Sequence, residues 1–182
     1  MGKSMIVKSG KMLCLAVVTL AFAGPTEAEQ PILQDALLDK LQGAWVITGT
    51  VAGEATTDDL DVEWVNQHQY LRLHEVSRDR RPNGRPRYEA TVYIGWNQPT
   101  AKYGIVWLDD FGGLSTQSIG LASKTGDQLP FVFTNPDGSF TRTTMTYNPA
   151  TKGWTWTIDE DRAGKLSRFA ALTLTRAEGA RR

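Results

Sequence analysis

Tyr88-Glu89-Ala90-Thr91-Val92-Tyr93-Ile94-Gly95-Trp96 is the stretch that decides the fold. Tyr88, Ala90, Val92, Ile94 and Trp96 fall on one side of a two-residue repeat, the pattern of a strand with one buried face. Segments of similar length flank it. Upstream, Trp45, Ile47, Gly49 and Val51 alternate with Val46, Thr48 and Thr50, and Leu60, Val62 and Trp64 alternate with Asp61, Glu63 and Val65. Tyr70 to Val76 follows. Downstream come Tyr103 to Asp109, Leu114 to Ala122, Leu129 to Thr134, Phe140 to Tyr147, Trp154 to Ile158 and Phe169 to Thr175. The pattern predicts about ten strands.

Turn chemistry separates them. Asn83-Gly84 supplies positive φ for a hairpin, and Asn135-Pro136-Asp137-Gly138 has the proline and glycine of a type I turn. Thr125-Gly126-Asp127 and Ala163-Gly164 serve similarly. One arrangement recurs, Trp96-Asn97-Gln98-Pro99 through Lys102-Tyr103 and Tyr147-Asn148-Pro149 through Lys152-Gly153-Trp154. Both read as equivalent hairpin turns at one end of the sheet. No link is long enough for the crossover that parallel strands require. The expected fold is all-β: a single antiparallel up-and-down β-barrel of about ten strands, whose closure removes the exposed edges of so long a meander. Ile32, Leu33, Leu37, Leu38 and Leu41 form one face of a short N-terminal helix, stopped by Gly43, that plugs or flanks a barrel end.

Lys3, Lys8 and Lys11 precede an uncharged apolar run from Met12 to Ala23, with small-residue exits after Ala23 or Ala28. This is the pattern of a secretory signal peptide. The run is shorter than the roughly 20 residues that span a bilayer. Residues 1–28 are therefore expected to be a signal peptide and 29–182 the barrel domain, with a periplasmic or secreted location and no stable membrane insertion after cleavage. Cys14, the only cysteine, lies in the apolar run. The expected mature chain has no disulfide and no thiolate chemistry. Without the three Lys and one Glu of residues 1–28, 17 basic residues face 19 acidic ones. That balance offers no basic field for nucleic acid. Arg78, Arg80, Arg81, Arg85 and Arg87 cluster around Pro82-Asn83-Gly84 and read as a solvated hairpin tip.

Gly43-Ala44-Trp45 at the first strand and Arg176 at the last resemble the lipocalin-like (calycin) barrels. In those barrels a terminal basic residue stacks on the tryptophan of a Gly-x-Trp opening. Leu41-Gln42-Gly43-Ala44-Trp45, Tyr70-Leu71-Arg72, Tyr93-Ile94-Gly95-Trp96-Asn97, Trp107-Leu108-Asp109, Tyr147-Asn148-Pro149 and Trp154-Thr155-Trp156 further resemble a group of bacterial exported lipocalin-like proteins of unknown function. The resemblance implies an interior that binds small apolar ligands, and carries no activity.

Seven residues are candidates for contact with such a ligand. Arg142, mid-strand between Phe140 and Thr144, either meets a ligand carboxylate inside the barrel or faces water. Arg72 and His74 share a face with Tyr70 and Val76, opposite Leu71, Leu73 and Glu75, and neither face is cleanly apolar. Trp107 and Asp109 share a face, where Asp109 orients a ligand hydroxyl, pairs with an interior arginine or caps the following turn. Tyr147 and Trp156 are the aromatic candidates for the cavity. His68 reads as exposed near a turn. Asp58-Asp59 with Asp61 and Glu63, and Asp159-Glu160-Asp161, read as edge-protecting or turn charges. With two histidines the chain cannot build a three-histidine metal site, and it has no Gly-x-Ser-x-Gly, phosphate loop or dinucleotide motif. No catalytic residue, metal or cofactor is assigned.

The leading expectation is a carrier of a small hydrophobic molecule. Three alternatives stand beside it. One is a haem or nitric-oxide carrier of nitrobindin type, with His74 or His68 on the iron. Another is an isomerase or hydrolase using the cavity, with Asp109 or His74 as base. The last is a filled barrel with an interaction role.

Overall fold

The computed structural model describes residues 32–113 and 118–179. The signal-peptide reading of residues 1–28 falls outside the described residues, as do positions 114–117 of one expected strand.

Ten strands follow a short helix, α1 (Ala36–Leu41). They are β1 (Gly43–Val51), β2 (Glu54–Val65), β3 (Tyr70–Ser77), β4 (Glu89–Asn97) and β5 (Lys102–Asp109), then β6 (Ile119–Ala122), β7 (Gln128–Thr134), β8 (Phe140–Asn148), β9 (Gly153–Arg162) and β10 (Lys165–Arg176). Each pairs antiparallel with its sequence neighbours, and β1 pairs with β10, so the sheet closes into an up-and-down barrel. All ten expected strands are present. The acidic runs Asp58–Glu63 and Asp159–Asp161 lie within β2 and β9, which corrects their reading as edge-protecting charges, while Asp161 does cap the following turn, its Oδ1 accepting from the Gly164 amide at 3.1 Å. A closed sheet has no edge to protect.

Closure is fixed at the β1–β10 seam. Trp45 lies opposite Arg176, whose guanidinium sits 3.8 Å from the indole centroid. Arg176 also donates to the carbonyls of Gln42 and Lys40, and Trp45 Nε1 donates to the Leu41 carbonyl at 2.6 Å. One cation–π contact thus ties the last strand, the first strand and the end of α1 together. Gly43 has φ +118°, and a Cβ there would collide with the Arg176 guanidinium. The glycine of Gly-x-Trp is therefore needed for the arginine's approach.

α1 closes one end of the barrel. Asp35 is its N-cap, accepting from the amides of Leu37 (2.8 Å) and Leu38 (3.0 Å). The same carboxylate accepts from the Tyr103 hydroxyl and from Lys124 Nζ. His68, which the sequence places near a turn and exposed, is half-buried: it stacks on Trp64 with centroids 4.0 Å apart, and its Nδ1 lies 2.9 Å from the Leu33 carbonyl. Lys40 sits 4.5 Å from the centre of the Tyr147 ring. The two recurrent turns are at this end, and each is capped by its asparagine. Asn97 Oδ1 accepts from Thr100 N at 3.2 Å, and Asn148 Oδ1 accepts from Ala150 N at 3.0 Å. Leu37, Leu38 and Leu41 pack onto Trp45, Ile47, Leu71, Ile94, Phe131 and Trp154, so the helix half of the barrel is solid core.

Burial pushes the Asp35 pKa up, but the hydrogen bonds from Lys124, Tyr103 and the Leu38 and Leu37 amides outweigh it and leave the value below the ordinary 3.8. The contribution of Asp35 to stability is therefore present above about pH 4 and is lost as pH falls below it. Asp35→Ala should destabilise the barrel at pH 7 by about 2 kcal/mol or more, from loss of the cap and of a buried acceptor. Thermal melts at pH 7 and pH 3 check this. The difference between variant and wild type should shrink at pH 3.

Candidate functional site

The opposite end of the barrel is hollow. A cavity of about 670 Å³ lies there, with Ala52, Asp79, Phe111, Asn135 and Phe169 among its lining residues. Its inner walls are Trp107, Phe133, Thr143, Trp156, Ile158 and Leu172. Phe111 and Phe169 stand at its mouth. Phe169 reaches it through a register shift between Arg168 and Ala170, and its carbonyl accepts from the Ala52 amide at 2.7 Å.

Strand parity selects what lines the cavity. Leu60 and Val62 of β2 are buried in the closed half, so Asp58 and Thr56, on the same face, point inward above them. Leu71 and Leu73 of β3 do the same for Glu75 and Ser77. The result is a carboxyl pair in the cavity wall. Asp58 is 3% exposed and Glu75 6%. Thr56 Oγ1 donates to both Asp58 oxygens, at 3.0 and 2.9 Å. Burial, then the negative charge of Asp58 and a hydrogen bond to it, push the Glu75 pKa from 4.5 to about 8. Glu75 is thus neutral at pH 7 and donates its proton towards Asp58.

Tyr88 adjoins the pair. Its hydroxyl accepts from Trp107 Nε1 at 3.0 Å. Burial drives its pKa far upward, the charge of Glu75 adds to this, and the Trp107 bond opposes it. Trp107 in turn lies against Trp156, centroids 5.3 Å apart. The described lining residues include six acids, Glu54, Asp58, Glu75, Asp79, Asp109 and Glu160, and one arginine, Arg87, which is bonded to Glu54; Glu160 is paired with Arg162 at 3.3 Å. Trp156 is 1% exposed and its indole Nε1 has no hydrogen-bond partner. Among the described residues, no three of His, Cys, Asp and Glu are grouped to hold a metal ion.

Of the seven candidate residues, the structure brings Trp107, Asp109 and Trp156 together in the cavity. Asp109 lines the cavity, and its Oδ1 accepts from the Phe111 amide at 3.1 Å, the turn cap expected of it. Tyr147 lies at the plugged end instead, packed on Trp154. Arg72, His74 and Arg142 are on the outer face, a correction with one cause. Leu71, Leu73 and Met145 fix the inward parity of β3 and β8, and these three residues have the opposite parity. Arg72 pairs with Glu63 at 2.6 Å and His74 with Glu89 at 3.0 Å. Arg142 grips Asp161, with Nη2 at 2.7 Å. Neither histidine lines the cavity. The arginine hairpin is less free than its sequence implies: Arg78 pairs with Asp59, Arg81 with Asp110 and Arg87 with Glu54.

Sequence reasoning missed Asp58, Glu75 and Tyr88. A signal was present for the first two, since each continues the face of two buried aliphatic residues on its own strand. No known family model matches the chain, and no curated protein matches it.

Glu75 holds its proton more tightly in the folded chain than in the unfolded one. Its contribution to stability is full below about pH 4.5 and falls away as pH rises to about 8. Glu75→Gln should therefore melt higher than wild type at pH 8–9 and much closer to it at pH 5. Each kcal/mol gained appears as about 2–4 °C for a domain of this size. Equal melting differences at both pH values would contradict a protonated Glu75.

Proposed function

We propose that this protein is an exported, lipocalin-like carrier that holds a small, mostly apolar ligand in the open half of its barrel. The observation that supports this reading best is the cavity itself, about 670 Å³ with aromatic walls and a mouth flanked by Phe111 and Phe169. Sites for small molecules are of this size and are lined mostly by apolar and aromatic side chains with a few buried polar groups. Arg176 stacked on Trp45 supports the lipocalin-like resemblance. The apolar run of residues 12–23 supports export. Among the described residues no helix is long and apolar enough to cross a membrane.

The cavity weighs against a filled barrel, and the placement of His68 and His74 weighs against haem held by histidine. One observation favours a second reading, an acid–base enzyme acting on a small apolar substrate. Glu75 has a pKa near neutrality inside a cavity, which suits a general acid or base. In that case Glu75→Gln would abolish turnover while leaving binding of the apolar body intact.

Trp107 and Trp156 make the binding reading directly testable. Titration with decanol should change tryptophan fluorescence and saturate. Thr143 is buried on the cavity wall. Thr143→Phe should fill that space and weaken decanol at least about tenfold, or ~1.4 kcal/mol, without loss of the fold by circular dichroism. An unchanged fluorescence across decanol and other apolar probes would contradict the carrier.

A further inference from the structure

The geometry points to a ligand that carries a protonated amine on its apolar body, received in the cavity by the Asp58–Glu75 pair. This rests on the carrier reading and specifies its ligand class. Three observations support it. The first is the sign of the lining: six carboxyl side chains, of which Glu160 is paired with Arg162, and one arginine, itself bonded to Glu54. A carboxylate ligand would be repelled there and would find no free cation among the described lining residues. The second is the pair's depth. Asp58 and Glu75 are buried where a single negative charge is already costly, so a second charge on Glu75 requires a cation beside it. The third is the surrounding ring system. Trp107 and Trp156 are in contact on the cavity wall, with Tyr88 bonded to Trp107, and aromatic walls of this kind stabilise a desolvated ammonium.

Binding is then an exchange. The free pair holds one proton on Glu75. An alkylammonium ion enters, that proton leaves to solvent, and the charged pair faces one cation. Charge and protons balance, and one proton is released per ligand bound. Asp58 of β2 acts directly on Glu75, and the other titratable or charged groups of the described cavity lining are Glu54, Asp79, Arg87, Tyr88, Asp109 and Glu160, the last paired with Arg162. Of these, Arg87 alone opposes an incoming cation, and it is held by Glu54. Affinity for an amine should therefore rise from pH 6 towards pH 8, by up to about tenfold per pH unit where a full proton is released. It should level off before the amine itself deprotonates, near about pH 10.

The test compares decylamine, decanol and decanoate, three probes with one apolar body, by tryptophan fluorescence and calorimetry from pH 6 to 9. Decylamine should bind at least tenfold tighter than decanol at pH 8, and decanoate weakest. Calorimetry in buffers of different ionisation heat should show proton release with decylamine and none with decanol. Glu75→Gln and Asp58→Asn should each remove the decylamine advantage and flatten its pH dependence while keeping decanol binding, which also reports that the variants fold. If decanol and decylamine bind alike, or decanoate binds best, the amine inference is overturned and the carrier reading survives. If no probe binds, the carrier reading fails and the inference falls with it.

Discussion

In a closed antiparallel barrel every strand has two faces and no third option. A strand whose lower half packs aliphatic side chains into the core must also point the alternate residues of its upper half inward. Leu71 and Leu73 place Glu75 inside, and Leu60 and Val62 place Asp58 there. The same constraint sends Arg72, His74 and Arg142 to the outer face, where each finds a carboxylate. The seam contact of Arg176 on Trp45 joins the first strand to the last where the sheet closes. The carboxyl pair follows from packing that happens at the other end of the molecule.

The two ends of the barrel are built differently. At the plugged end, Asp35 satisfies two helix amides, a phenol and a lysine with one carboxylate, and leucines fill the remaining space. At the open end, the described lining carries six acids and one arginine, and the aromatic walls leave a void. The chain as a whole is electrically balanced, with 20 basic and 20 acidic residues. Its cavity is not. Much of the basic charge sits outside, where Arg78 and Arg81 tie the β3–β4 hairpin to Asp59 and Asp110, while Arg87 in the lining is held by Glu54. A balanced composition thus conceals a strongly polarised interior.

Most of the fold was legible in the sequence because alternation and turn chemistry are local. The ten strands, the short helix and the asparagine-capped turns at one end all follow from residues close together in the chain. The site was legible only in part. Trp107, Asp109 and Trp156 stand out in the sequence as aromatic or turn-adjacent residues, without showing which strand face points inward. β3 does not mark it, because Arg72 and His74 on one face and Glu75 on the other leave both faces mixed. The decisive evidence lies in Leu71 and Leu73, whose burial depends on contact with a helix and strands far away in sequence. Asp58 was hidden for another reason. It stands in a run of acids, and only register shows that alternate members of that run face opposite sides of the sheet.

The central claim is that the open half of the barrel holds a ligand. Native mass spectrometry of the protein purified from its own source tests it most directly. The account predicts a bound small-molecule mass that is lost on denaturation, with an even-electron composition of apolar carbon and at least one basic nitrogen. A clean unliganded mass that stays unshifted through a panel of apolar amines and alcohols would contradict it.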